Sequence, residues 1–123
     1  MGIAVESLKI IAKKINKIPK AQQVFVTDIG GKSLNWNMIF QFNLNDEEPF
    51  YLTIKEKIVS VTLGTEIEAE TVMTGENKAI IKICNGKGDF THAISREEIT
   101  VEKGKVMDLI RLTRAITIVL KSE

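Results

Sequence analysis

NWNMIFQFNLNDEEPFYLTIKEKIVSVTLG, residues 35–64, is the stretch that decides the fold. From Asn35 to Leu44 the residues alternate. Trp36, Met38, Phe40, Phe42 and Leu44 share one face; Asn35, Asn37, Gln41 and Asn43 share the other, with Ile39 the exception. A period of two is the mark of a half-buried strand. Asp46-Glu47-Glu48-Pro49 turns the chain, and Phe50, Leu52 and Ile54 continue the alternation in a second strand. Lys55-Glu56-Lys57 is a tight connection to a third strand, Ile58 to Leu63, which Gly64 ends. Strands joined by turns this short form an antiparallel meander.

On the N-terminal side the period changes to that of a helix over residues 3–18. Leu8, Ile11, Ala12, Ile15 and Ile18 follow the i, i+3, i+4, i+7 spacing, and Lys9, Lys13, Lys14 and Lys17 take the other faces. Pro19 ends this helix, because it disfavours the helical conformation in the residue before it. Residues 21–26 read as a further helical turn and residues 28–33, with Gly30-Gly31, as a loop.

On the C-terminal side, residues 68–74 read as a fourth strand. Thr74 is the expected N-cap of a helix that puts Ala79, Ile80, Ile83 and Cys84 on one face and stops at Asn85-Gly86. A short helix over 90–96 and a fifth strand over 98–102, with Ile99 and Val101 on one side, precede Gly104. The terminal helix, MDLIRLTRAITIVL (107–120), has nine apolar residues in fourteen. At 100° per residue, Leu109, Leu112, Ala115, Ile116, Val119 and Leu120 fill an arc of about 140°, an ordinary core stripe. Met107, Ile110 and Ile118 lie outside it, a surplus that a core does not require.

Length and composition predict one globular domain, 1–123. The formal charge of +1, from 17 basic and 16 acidic residues, lacks the basic excess of a dedicated nucleic-acid binder, so no nucleic-acid partner is expected. The single cysteine, Cys84, excludes an intrachain disulfide and points to a reducing compartment. The N-terminal MGIAVESLKI is not a signal peptide, and Gly2 lacks the Ser or Thr at position 6 of a myristoylation site. No stretch approaches the length of a membrane span. A cytoplasmic protein is expected.

The search for catalytic chemistry returns little. His92 is the only histidine, so a nucleophile–histidine pair would have to use it; a surface position is the simpler reading. Cys84 sits on an apolar helical face, where a free cysteine acts as a small hydrophobe. One His and one Cys build no common zinc site, and Asp46-Glu47-Glu48 lacks the spaced oxygen ligands of a calcium loop and reads as a solvated turn. NGKGDF follows a helix rather than a strand and carries no phosphate-loop pattern. No catalytic residue, metal or cofactor is therefore expected. The lysines of the first helix form either a solvated face or a weak contact with anionic lipid headgroups. Trp36, Phe40 and Phe42 are either plain core or one wall of an apolar cavity, a common setting for ligands.

The order of elements, with Ala69-Glu70-Thr71-Val72-Met73-Thr74 as a strand, Gly86-Lys87 at a helix end, Ala93 in a short helix and Ile99 to Gly104 closing a strand, resembles the sterol carrier protein type-two family. The resemblance covers roughly residues 5–120 and is strongest over 69–104. Gly88-Asp89 replaces the proline often found after "G-K", Ser95 or Arg96 the glycine before the last strand, and Lys121-Ser122-Glu123 is no peroxisomal signal. What the resemblance implies is an α+β fold: a five-stranded mixed, mostly antiparallel sheet covered by helices, with an apolar tunnel between them. It also implies non-enzymatic binding and transfer of a fatty acid, acyl-CoA, phospholipid or isoprenoid- or sterol-like lipid. Phe40, Phe42, Met73, Ile80, Ile83, Phe90 and Ile94 are expected to border that interior, and Leu109, Leu112 and Ile116 to close it. The competing expectation is an interaction module of the same fold with a filled core, whose apolar surplus meets a second copy of the chain or another protein. A small enzyme, or an accessory domain of one, is the third.

Overall fold

The computed structural model describes residues 3–122; Met1, Gly2 and Glu123, named above, lie outside them. Helix α1 (Ile3–Ile15) buries Ala4, Val5, Leu8, Ile11, Ala12 and Ile15, the expected stripe. It stops short of Ile18, and Asn16 supplies the reason. Its side-chain amide donates to the Val59 carbonyl and accepts from the Val59 N–H, both at 2.8 Å. The pair of bonds imitates a neighbouring strand and pulls the chain out of the helix. Pro19 then opens helix α2 (Pro19–Gln22) at a position where its missing N–H costs nothing, and a 3-10 turn, Gln23–Phe25, follows.

The loop expected over 28–33 is the tip of a hairpin, β1 (Val26–Ile29) with β2 (Lys32–Asn35). Gly30 and Gly31 both have positive φ, +56° and +82°, as a two-residue hairpin turn demands. β2 takes Asn35, so β3 (Met38–Leu44) begins three residues later than the alternation predicts. β4 (Phe50–Lys55) and β5 (Ile58–Leu63) complete the meander around Glu56 and Lys57, both at positive φ. β6 (Thr71–Gly75) and, after helices α3 (Asn77–Cys84) and α4 (Phe90–Ser95), β7 (Ile99–Lys103) give a five-stranded sheet in the order β5-β4-β3-β6-β7. Helix α5 (Val106–Lys121) ends the chain. β3 and β6 are parallel and the other pairs antiparallel, so the sheet is mixed.

The register explains which face of the sheet is buried. Phe40 sits opposite Leu52 and Thr71, and Phe42 opposite Phe50 and Met73. These side chains share a core with the inward stripes of α1, α3 and α5. Phe42 and Phe50 stack at 4.9 Å between ring centroids, an arrangement that adds about 0.5–1.5 kcal/mol to their area burial. On the opposite face, where Ile39, Asn43, Tyr51 and Val72 are half-exposed, Gln41 is the exception. It is 2 % exposed, donates to the carbonyls of Phe50 and Gly64, and accepts from the Glu66 N–H at 2.7 Å, which fixes the loop after β5.

Two further sequence expectations change. Thr74 does not cap α3; it remains in β6, paired with Asn43 and Thr100. The cap residue is Glu76, whose side chain makes no capping hydrogen bond. Nor is Glu47 part of a merely solvated turn. Its carboxylate accepts from the N–H groups of Ala4 and Val5, each at 3.0 Å, and from the Asn77 amide at 3.1 Å. One acid thus satisfies the open end of α1, where the helix dipole favours negative charge, and ties it to the start of α3. Gly75 sits where β6 meets β7 at φ +144°, and a Cβ there would strike the Glu98 carbonyl and come 2.9 Å from the Ile99 Cα.

Candidate functional site

α5 divides by face. Leu109, Leu112, Ala115, Ile116 and Val119 are buried, as the 140° arc predicts, while Leu120, at the edge of that arc, is only half-buried. Met107 and Ile110 are 71 % and 38 % exposed and Ile118 is half-buried, so the surplus lies on the flank. Arg111 holds the helix in place. Its guanidinium lies 4.4 Å over the Trp36 ring and donates to the carbonyls of Val24 and Val26 and to Thr27 Oγ1. Burial, together with neighbouring Arg114, lowers its pKa from the usual arginine value, with Asp108 acting against the shift. The bonds tie α5 to the 3-10 turn and to β1, so the flank is a fixed surface.

That surface is concave. Ile110 and Ile118 line an open groove of about 430 Å³, with Thr113, Thr117 and Arg114 from the same helix. Lys20 of α2 forms one wall, Asp89 and Thr91 at the start of α4 form another, and Lys121 closes an end. A second groove of about 210 Å³ shares Thr113, Thr117 and Lys121 with the first and reaches Ile83, Ile116 and Leu120 past Gly86 and Gly88. A third, of about 240 Å³, runs between α1 and Cys84 and again reaches Leu120. The first falls in the range of about 300–1,000 Å³ that small-molecule sites occupy.

Of the residues expected to border the interior, Phe40, Phe42, Met73, Ile80, Phe90, Leu109 and Leu112 lie fully inside the core. Ile83 and Ile116 are buried too, and they alone of the ten also face a described groove. Ile94 packs against the core from a half-buried position. The structure therefore brings nine of the ten into one buried cluster. What the sequence reading did not single out is the polar half of the groove: Arg114, Lys121, Thr113, Thr117, Thr91 and, as a groove residue, Lys20. The signal was present, because residues 110, 114, 117, 118 and 121 follow the i, i+4, i+7, i+8, i+11 spacing of one helical face.

The groups weighed for catalysis stay apart from the groove floor. His92 is exposed on α4, with Nδ1 3.1 Å from Asp89, whose carboxylate also caps that helix through the His92 N–H at 2.9 Å. Burial pushes the Cys84 thiol up to about 12. Among the described residues no cluster of three His, Cys, Asp or Glu is placed to hold a metal, and no helix is long and apolar enough to cross a membrane. Thr71 Oγ1, on the core face of β6, is buried without a hydrogen-bond partner among the described residues.

The sequence pattern of the SCP-2 sterol transfer family matches residues 15–115. The chain belongs to this family. No curated protein matches its sequence. Among solved structures it is similar to the UbiJ-SCP2 ubiquinone synthesis protein, with a TM-score of 0.68 and 11% identity over 94% of each chain. It is similar also to the sterol carrier protein-2 of Aedes aegypti in complex with palmitate, with a TM-score of 0.62 and 16% identity, covering 94% of this chain and 96% of that one. A third likeness is to the inverting sec-alkylsulfatase Pisa1 from Pseudomonas sp., with a TM-score of 0.54 and 14% identity. It covers 66% of this chain, which spans only 12% of that enzyme's length. At these identities the likeness is one of fold: the SCP-2 α+β architecture with its mixed five-stranded sheet.

Proposed function

We propose that this chain binds, and transfers between carriers or membranes, a lipid with a long apolar chain, and that it does so without catalysis. The observation that carries the reading is the position of Ile110 and Ile118. Ile110, exposed, and Ile118, half-buried against the edge of the core, are gathered in one groove, beside a second groove that touches the core through Ile83 and Ile116. Membership of a sterol transfer family and the palmitate bound by the Aedes aegypti relative support it. In this proposal the tail lies against the flank of α5 and enters between α5 and α3, with the core residues from Phe40 to Leu112 giving way around it. Burial supplies about 0.8 kcal/mol per methylene, so a sixteen-carbon tail gains on the order of 12 kcal/mol before the costs of association. The basic face of α1 is proposed to make weak contact with an anionic membrane surface, with each lysine near it contributing about 1 kcal/mol.

The reading is tested by extracting the purified protein with organic solvent and searching the extract for stoichiometric lipid by mass spectrometry, with a fluorescent fatty acid as the added probe. Lipid in the extract, or micromolar binding of the probe, is the expected result; an empty protein that also ignores the probe overturns it. One observation favours a second reading, an interaction module of the same fold: Phe40, Phe42, Phe50 and Phe90 are all completely buried, as a filled core requires. Under that reading the flank of α5 meets a second copy of the chain.

A further inference from the structure

The cations around the larger groove are unpaired among the described residues. Lys20, Arg114 and Lys121 make no ion pair and no side-chain hydrogen bond among the described residues, and neither do the hydroxyls of Thr91 and Thr117. Thr113 is committed, since its hydroxyl donates to the Leu109 carbonyl at 3.0 Å. Asp89 is committed as well, to the His92 N–H and imidazole. The free donors therefore converge on one concavity that carries three cations against one anion, and its floor is Ile110 and Ile118. The neighbouring groove, reached over Thr113 and Thr117, carries a single cation, Lys121, and the apolar surfaces of Ile83, Ile116 and Leu120. Polarity thus falls from one groove to the next along α5.

We infer that the larger groove is a headgroup site and that the lipid it selects bears a phosphate, held by Lys20, Arg114 and Lys121 with Thr91 and Thr117 as neutral donors. The inference rests on the lipid-binding reading and deepens it by naming the class of headgroup. A net charge of +2 in the groove matches a phosphate monoester, which carries up to two negative charges near neutral pH, better than a single carboxylate. It matches an uncharged alcohol or a sterol hydroxyl worst, because the ammonium and guanidinium groups would then have only water to contact. Arg114 suits this role through its planar fork of donors, and the lysines serve as point charges on flexible stems. The tail then runs over Thr113 and Thr117 towards Ile83 and Ile116.

The test uses one tail with three heads: hexadecyl phosphate, palmitate and hexadecanol, with affinities measured for the intact chain at physiological salt. Hexadecyl phosphate is expected to bind most tightly, about tenfold above hexadecanol given the modest strength of each exposed charge contact, with palmitate between them. Replacing Lys20, Arg114 and Lys121 together by Ala should remove that preference, so that hexadecyl phosphate binds the variant no more tightly than hexadecanol binds the same variant. The same number of substitutions on distant strands, Lys32→Ala, Lys55→Ala and Lys103→Ala, should preserve it. Equal affinity for the three heads, or a preference that survives the groove substitutions, overturns the headgroup site while leaving lipid binding in place. Inorganic phosphate binding as tightly as hexadecyl phosphate overturns it in favour of a free-anion site. Failure of all three amphiphiles to bind removes the lipid reading and this inference with it.

Discussion

The inner face of the five-stranded sheet and the outer flank of α5 are both apolar, yet the two surfaces are built differently. On the sheet, Phe40, Phe42, Leu52 and Met73 meet opposing side chains in register and are fully buried. On α5, Ile110 and Ile118 meet a groove wall made of Lys20, Thr91 and Lys121. The difference teaches that hydrophobicity alone does not assign a role. What matters is whether the surface opposite is apolar and packed or cationic and open. Substitutions on the sheet should move stability, and substitutions on the flank should move ligand binding with little effect on stability.

The largest effect belongs to the sheet. Phe42→Ala is expected to cost about 3–5 kcal/mol in chemical denaturation, because it leaves a cavity beside Phe50. A cost well below that range would show that the ring borders empty or ligand-filled space, and would move the sheet face into the same category as the flank. Next comes the joint between α1 and α3. Glu47→Ala strands the Ala4 and Val5 N–H groups and the Asn77 amide, and is expected to cost about 1–2 kcal/mol.

A pH titration probes the helix layer. The folded state holds Cys84 as a neutral thiol up to about 12, against a value of 9.0 unperturbed. The unfolded chain releases this proton first, so stability should fall as pH rises between those two values, by at most about 1.4 kcal/mol per pH unit. Cys84→Ala should flatten that alkaline limb and leave lipid binding within a factor of ten of the parent protein. Smaller again is Thr71→Val, which removes an orphaned buried hydroxyl and is expected to stabilise by about 1 kcal/mol. His92→Ala should change neither stability nor lipid binding measurably, since the imidazole is exposed and, among the described residues, its one polar side-chain partner is Asp89.

Much of this architecture is legible in the sequence, because alternation and helical spacing are strong local signals. The meander from Met38 to Leu63, the strand from Ile99 to Lys103 and the two faces of α5 follow from period. The parallel pairing of β3 with β6 does not, since period reports a face and not a neighbour; the mixed sheet was expected from the family resemblance. The β1–β2 hairpin escaped because Ile29 and Leu34 are exposed and the strands are too polar and short to alternate, although Gly30-Gly31 marks their turn. Asn16, Gln41 and Glu47 escaped for a shared reason. Each is a polar residue that bonds backbone groups between 9 and 43 residues away, which local period does not report. The headgroup side of the groove was hidden in a similar way: Lys20 and Arg114 are neighbours only after α2 packs on α5.

The central claim is that the flank of α5 is a ligand surface rather than core or subunit interface. The most direct measurement pairs lipid affinity with solution mass for Ile110→Glu combined with Ile118→Glu. The account predicts weaker binding of a fluorescent fatty acid, by tenfold or more on the order expected for charges placed in an apolar contact, with an unchanged mass and a stability loss of no more than about 1 kcal/mol. Unaltered binding with a halved mass would contradict it and make the flank a dimer surface. If binding and mass both stay as they are, the groove along α5 is not where the ligand goes.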